Sequence, residues 1–417
     1  MTIIVNKNIY KKPINFKDLS LSCPELREYL IPINNKNFEF TINFKDEDSI
    51  RCLTKCLLEK DFNLRVKLPS NNLIPTLPNR LDYINYIFDL SGYDATTNKK
   101  VNILDIGTGP LPVYPLLISR VYDNAVTYGT DIDIDSLELA NINTTNNNLN
   151  DNIKLYKTTK QDNLIPSVVI DNISENEINC QLCNPPFYES IEEIKHLENF
   201  KSTKPKSMNL GSFNEIVTEG GETSFVSNLI DESLNNQRLF KWYSSLLGKF
   251  SSLEVLINKL RQLNVNNYAL KEITLGSTRR WVLAWSFYYD RLPNHLMRIE
   301  GGTFKSLNPP SNEVYISTDK SLDYLINYVF INIQNLSIDS YNDNFMQLTL
   351  VGDETWSRSV RRKLMKGETL PVDSNKITKL RFNYDSMECS LKITWLYGND
   401  RQLFISLYKH INSKLLN

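Results

Sequence analysis

The stretch 101–110, VNILDIGTGP, decides the fold. An apolar run ends in an acid and opens into Gly107-x-Gly109, so it reads as a buried strand feeding a tight loop. Backbone there can approach a nucleotide-like ligand closely. A dinucleotide fingerprint needs a third glycine, so that the next helix N-terminus can receive a pyrophosphate. Pro112 holds that place in GTGPLP. Loss of the phosphate cradle disfavours a nicotinamide dinucleotide and fits a ligand without phosphates. Working outward, PVYPLLISRVY reads as a helix, AVTYGTD as a second strand and DIDSLELANINTTNNNL as the next helix. NIKLYKT and INCQLC read as the third and fourth strands. Helices are expected over much of 223–263, and NYALKEITLG with RWVLAWSFYY closes the region as an antiparallel pair. Strand and helix signals thus alternate from about 100 to 289, which predicts an α/β class with a parallel sheet.

The bulk numbers bound what can surround that core. With 417 residues the chain has room for two or three domains. A hydrophobic content of 41% and a charged content of 23% are those of an ordinary folded protein. The net charge of -1 excludes blanket attraction to nucleic acid or membrane, so any basic footprint must be local. No run approaches the roughly 20 apolar residues of a membrane span. The start, MTIIVNKNIYKKP, lacks the apolar centre of a signal peptide, and an intracellular protein is expected. The cysteines at 23, 52, 56, 180, 183 and 389 are too sparse to predict a disulfide framework. Cys180 and Cys183 form a lone CxxC, read as small apolar residues on a strand, and no metal is expected.

Four segments are expected. Residues 1–98 form a helical N-terminal extension, with CPELREYL and DEDSIRCLTKCLLEKDF as its helices. Residues 99–290 form the core. The Gly- and Pro-containing 291–310 reads as a linker, and 311–417 as a small α+β domain. The Asn-rich NTTNNNLNDN, 143–152, reads as solvated loop.

Chemistry concentrates in two further motifs. Asp131 ends the second strand in GTDID, where a carboxylate can accept both hydroxyls of a ribose. With Gly107 and Gly109, this fits S-adenosylmethionine (SAM), which carries a ribose, an adenine and an amino acid but no phosphate. The second motif, CNPPF, follows the fourth strand. Pro185 and Pro186 remove two donors and press Asn184 toward extended geometry, leaving carbonyls free to accept. Asn184 can offer its side-chain oxygen and Pro185 its carbonyl to the N–H groups of a planar amine, aiming its lone pair at the methyl. Phe187 offers a face for a base to stack on. Parallel strands closing in an antiparallel pair are the arrangement expected of a Rossmann-like, SAM-dependent methyltransferase core.

Those motifs, with NFKD, LIPTLPNRLDYI, EGGE, RLFKWYSSLLGK and TRRWVLAWSF, resemble the methyltransferase-like protein 16 family over roughly 8–290. These are U6 small nuclear RNA (snRNA) adenine-N6 methyltransferases, related to bacterial 23S rRNA adenine-N6 methyltransferases. The resemblance implies formation of N6-methyladenosine in the ACAGA segment of U6. It places cofactor contacts at Arg80, Gly107, Asp131, Asp162 and Asn184, with Arg80 toward the SAM carboxylate. Asp131 stands where many members have Glu, and Asp162 where a neutral hydroxyl is usual. Candidate RNA contacts are Lys11, Lys12, Lys45, the loop lysines Lys201, Lys204 and Lys206, and Arg279 with Arg280. In the last domain they are Arg358, Arg361, Arg362, Lys363 and Lys366, in a region resembling a kinase-associated-1 domain. The implied partner is U6 or a similar structured RNA, with no obligate protein partner, and the implied location nuclear, with a cytoplasmic pool also open. Two alternatives stand: methylation of a small-molecule amine, and RNA binding without catalysis.

Overall fold

In the computed structural model the chain forms two units, Met1–Phe287 and Tyr288–Asn417. The structure describes residues 8–69, 72–97, 99–174, 177–190, 192–193, 216–276, 278–331, 333–366 and 373–416.

In the first unit, a small antiparallel hairpin, β1 (Leu30–Pro32) and β2 (Phe40–Ile42), precedes the main sheet. All six residues of β3 (Val101–Ile106) are buried, as befits a strand covered on both faces. It pairs in parallel with β4 (Ala125–Asp131) on one side and β6 (Ile178–Cys183) on the other, and β5 (Ile153–Lys157) extends β4. The sheet continues through β7 (Tyr243–Leu247). There Gln181 N–H donates to Trp242 O at 2.9 Å and Lys241 N–H to Asn179 O at 2.7 Å. β9 (Thr278–Trp285) then lies antiparallel between β7 and β8 (Tyr268–Leu275). The resulting order is β5-β4-β3-β6-β7-β9-β8.

β7 falls inside the stretch read as largely helical. Its centre is Ser244 and Ser245, both fully buried, and they break the apolar run that marks a central strand. Ser244 belongs there because its hydroxyl donates to Gln181 O at 2.7 Å and accepts from the Tyr83 hydroxyl at 2.8 Å. The flanking helices are α1 (Phe16–Ser22), α2 (Glu47–Phe62), α3 (Leu77–Ser91), α4 (Val113–Val121) and α5 (Ile134–Asn146). Beyond the short α6 (Ser167–Ile170) come α7 (Gly221–Asn235) and α8 (Phe250–Gln262). The Asp46 carboxylate accepts Ser49 N–H at 2.9 Å and starts α2, a cap worth about 1 kcal/mol.

Two sequence expectations are corrected here. Cys23, before the 3-10 helix Pro24–Tyr29, is disulfide-bonded to Cys56 of α2, with Cα atoms 5.7 Å apart. The packing of that turn on α2 brings together residues that sequence spacing leaves apart. The Asn-rich tract is also not all solvated. Asn143 is fully buried and Asn147 nearly so. Asn143 accepts Lys67 N–H at 2.7 Å and donates to Lys67 O at 3.0 Å. Asn147 treats Arg65 alike, both bonds being 2.8 Å. A primary amide presents the donor and acceptor of a peptide group, so two side chains one helical turn apart stand in for a neighbouring strand.

The second unit is α+β. Its antiparallel sheet runs β10 (Glu313–Ser317), β14 (Ser390–Tyr397), β13 (Ile377–Asp385), β12 (Phe345–Val351) and β11 (Leu336–Asn342). Leu348, Phe382 and Trp395 form its core with Phe404 and Leu407 of the helix Arg401–Leu415. β11 escapes the sequence reading because six of its seven residues are exposed and lend it no alternation. The segment read as a linker is folded within this unit. Arg291 N–H donates to Leu396 O at 2.8 Å, and the Asn308 side chain brackets the Ile299 peptide.

Candidate active site

The motif residues meet at one edge because the register demands it. Ile106 pairs with Thr130 on one side and Cys183 on the other. The chain therefore leaves β4 at Asp131, β3 at Gly107 and β6 at Asn184, side by side. Between β3 and β6 the connections diverge to opposite sides of the sheet, the switch point at which open α/β sheets take ligands. Gly107 and Gly109 have φ of 73° and 68°, a left-handed geometry that lets the loop turn back at once. Gly107 and Thr108 N–H both donate to Thr130 O at 2.9 Å, and Gly109 N–H donates to Asp131 Oδ2 at 2.9 Å. Asp133 N–H donates to Asp131 Oδ1 at 2.9 Å. Burial raises the Asp131 pKa and these bonds oppose the rise. Each carboxylate oxygen keeps a lone pair for a hydroxyl donor.

Among the described residues, the buried polar atoms without a protein partner include Asn184 Oδ1, Arg80 Nε and Asp105 Oδ1 at this edge. Orphaned polar atoms are costly, about 1–3 kcal/mol each, unless a ligand satisfies them. Arg80, at the start of α3, donates from Nη1 to the Tyr114 hydroxyl at 2.7 Å. Burial pushes that hydroxyl up to about 12, with Arg80 opposing. Asp105 is the penultimate residue of β3. Burial raises its carboxyl to about 7, the Thr108 hydroxyl bond at 2.8 Å opposes, Asp131 adds to the rise and Arg80 opposes it.

Beyond Asn184 the chain is held rigidly. Cys183 N–H donates to the Tyr83 hydroxyl at 3.2 Å, so α3 pins the strand end that aims Asn184. Phe187 lies against Gly248, where an added Cβ would stand 2.8 Å from its ring. Glu222 fixes that backbone: its buried carboxylate accepts Gly248 N–H at 2.7 Å and Lys249 N–H at 2.8 Å. Burial raises the Glu222 pKa while these bonds lower it. The Arg280 guanidinium sits 5.5 Å from the Phe187 ring centroid, a cation–aromatic pair. Burial, then Arg80, lowers the Arg280 pKa.

Other expected residues lie elsewhere. Asp162 is exposed and its carboxylate accepts Thr159 N–H at 2.6 Å, closing its own turn. Arg279 is exposed and paired with Glu272 at 3.7 Å. Lys11, Lys12 and Lys45 are exposed on the first unit, and Arg358, Arg361, Arg362 and Lys363 are exposed on the helix Arg358–Met365 of the second. Lys201, Lys204 and Lys206 lie outside the described residues. Sequence reasoning left Asp105, Tyr83, Tyr114, Glu222 and Gly248 out of the site. The signals for three existed, as Asp105, Glu222 and Gly248 sit in LDIG, EGGE and LLGK.

A seven-stranded sheet with one antiparallel strand, a phosphate-free glycine loop and an acid ending the next strand define the class: a SAM-type, Rossmann-like methyltransferase core. The family match is more specific. The chain belongs to the RNA methyltransferase family, which it matches over residues 3–289. It is 34% identical over 368 residues to the U6 small nuclear RNA (adenine-(43)-N(6))-methyltransferase of Schizosaccharomyces pombe, covering 88% of this chain and 92% of that protein. It is 37% identical over 288 residues to the human RNA N(6)-adenosine-methyltransferase METTL16, covering 68% of this chain and 50% of that one. The chain thus spans nearly all of the yeast relative and about half the human one. The human METTL16 catalytic domain in complex with MAT2A 3′UTR hairpin 6 superposes with a TM-score of 0.60 at 35% identity, covering 69% of this chain and 99% of that one. The human METTL16 N-terminal domain in complex with SAH gives 0.54 at 34% identity, covering 68% and 98%.

Proposed function

We propose that the chain methylates N6 of an adenosine in structured RNA, using SAM, with the ACAGA segment of U6 snRNA as its principal substrate. The observation that carries this reading is the buried, unpartnered Asn184 Oδ1 at the switch point, one residue from a fixed proline carbonyl. An exocyclic amine is a poor nucleophile because its lone pair is delocalised into the ring. Asn184 and Pro185 accept its N–H groups, aim the lone pair and stabilise the positive charge that develops on nitrogen. Phe187, with Arg280 over its ring, gives the base a stacking surface.

The donor set suits the cofactor. Arg80 would hold the SAM carboxylate, Asp105 its ammonium and Asp131 the ribose hydroxyls. Bound SAM supplies an electrophilic sulfonium methyl for direct displacement. No strong base is required, because the amine proton can leave to water after methylation. Lys11, Lys12, Lys45, Arg279 and Arg280 would contact the RNA around the target, and the arginines of 358–363 a more distant stem. That division assigns substrate chemistry to 99–290 and a second grip to the C-terminal domain. A nuclear location follows from the substrate.

The test is incubation of the protein with methyl-labelled SAM and total cellular RNA, followed by nucleoside analysis. Label should enter N6-methyladenosine in U6. Label confined to small amines, or no label at all, would overturn the reading.

A further inference from the structure

Three sulfurs and a carboxylate converge on a part of the first unit that the active site does not use. Cys23 precedes the 3-10 helix Pro24–Tyr29, while Cys52 and Cys56 lie four residues apart on α2 and so share one face. Cys23 is bonded to Cys56. Glu25 Oε1 lies 3.6 Å from Cys23 Sγ, and Cys52 Sγ lies 3.9 Å from Cys56 Sγ. The ligand atoms of Cys23, Glu25 and Cys56 all fall within 4.8 Å of one another. Cys23 and Cys56 are buried, Cys52 half-buried and Glu25 exposed. A disulfide needs two sulfurs and nothing more. The carboxylate closes on that pair, and the Cys52 sulfur, outside the 4.8 Å group, approaches it at Cys56, so together they make up the donor count of a tetrahedral metal site.

We propose that the reduced chain binds a zinc-class divalent cation through Cys23, Cys52, Cys56 and Glu25, with the Cys23–Cys56 disulfide as the metal-free, oxidised state of the same cluster. Thiolate sulfur selects a borderline-soft cation over magnesium or calcium. The interconversion balances. A dithiol reductant gives two electrons, the Cys23–Cys56 bond breaks to two thiols and the reductant closes its own disulfide. Metal entry then displaces the thiol protons to solvent, so binding strengthens as pH rises. In a reducing compartment the thiol form prevails, and the metal replaces the disulfide as the clasp between the Cys23 turn and α2. This site departs from the sequence reading, which weighed zinc only at Cys180 and Cys183.

The test uses the full chain, stripped with chelator and titrated with Co²⁺ alone, then Zn²⁺ alone, with and without dithiol. The reduced protein should take up a single equivalent of Co²⁺ with thiolate-to-metal charge-transfer absorption, lost on adding Zn²⁺, and should release protons as it binds. The oxidised protein should show neither. Cys52→Ser, with its fold checked by circular dichroism, should weaken binding by about tenfold or more, since each ligand contributes to a large binding free energy. Glu25→Gln, at an exposed position that leaves the core untouched, should weaken it in the same direction. Cys389→Ser should change nothing. A reduced wild type that binds no Co²⁺, or binds it as tightly with both Cys52→Ser and Glu25→Gln in place, overturns the proposal.

Discussion

At the scale of single residues, the site is organised by polar atoms that the fold buries without satisfying. Asn184→Ala removes the oxygen that would aim the amine. It should lower the single-turnover rate about 100-fold or more while RNA affinity holds, as for removal of a preorganised electrostatic interaction. A near-normal rate in rapid-quench assays would remove Asn184 from the chemistry. Asp105 makes a different prediction, in pH. Its carboxyl titrates near 7 in the folded chain, well above its ordinary value, because burial disfavours the charge. The sign follows from proton binding: below about pH 4 both folded and unfolded chains are protonated and nothing is lost. As pH climbs toward 7 only the unfolded chain ionises, so the stabilising contribution drains away. Asp105→Asn should therefore flatten the fall in thermal midpoint between about pH 4 and 7. A ligand ammonium drives the ionisation the fold resists, so SAM binding near pH 6 should release a proton in wild type and none in the variant. Calorimetry in buffers of differing ionisation enthalpy reads this directly, and equal release in both would clear Asp105 of contact with the ligand.

At the scale of elements, the sequence was most legible where strand and loop chemistry coincide. VNILDI, AVTYGTD and INCQLC carry their fold in an apolar run and their function at or just beyond its C-terminal end, in Asp105 and Gly107, Asp131 and Asn184. What escaped was whatever depends on a partner distant in sequence. β7 hides behind Ser244 and Ser245, and Ser244 is tolerable there only because Gln181 and Tyr83 answer it. Glu222 reads as a helix-start acid until its carboxylate is seen holding the turn at Gly248. That turn yields its own prediction. In Gly248→Ala the new methyl would meet Phe187 at 2.8 Å and the Glu222 carboxylate at 3.3 Å, so the ring must shift. Misplacement of about 1 Å can cost 100-fold in rate. Methyl transfer should fall by about that factor with the thermal midpoint little changed, as measured by single-turnover assay beside calorimetry. An unaltered rate would mean that the Phe187 position is not critical.

At the scale of the whole molecule, one pocket for one adenine cannot select a single RNA among many. Selection must come from RNA shape and from phosphates. The net charge of -1 makes any such grip local, and the helix Arg358–Met365 concentrates exposed cations. Neutralising Arg358, Arg361 and Arg362 together should weaken binding of full-length U6. The log–log salt slope should become shallower by about 0.7–0.9 for each phosphate that the variant leaves unneutralised. A short hairpin that reaches only the first unit should bind and react as before. Salt titrations of both RNAs with wild type and triple variant make the comparison, and equal weakening on the two would deny the second unit a separate grip.

The asparagine pair of α5 also bears on how this chain can change over generations. Asn143 answers both the N–H and the C=O of Lys67, and Asn147 both those of Arg65. Aspartate in either place keeps the acceptor and forfeits the donor, while leucine forfeits both. Serine and threonine, single-step neighbours of asparagine, carry a donor and an acceptor on one oxygen and so lack the separate O and N with which the amide spans the two groups, and glutamine is one methylene longer. Mutational drift at these positions is therefore barred one letter at a time. A tract that looks like low-complexity filler should contain two sites as slow to vary as any in the catalytic loop, while the exposed Asn146 between them is free to become almost anything.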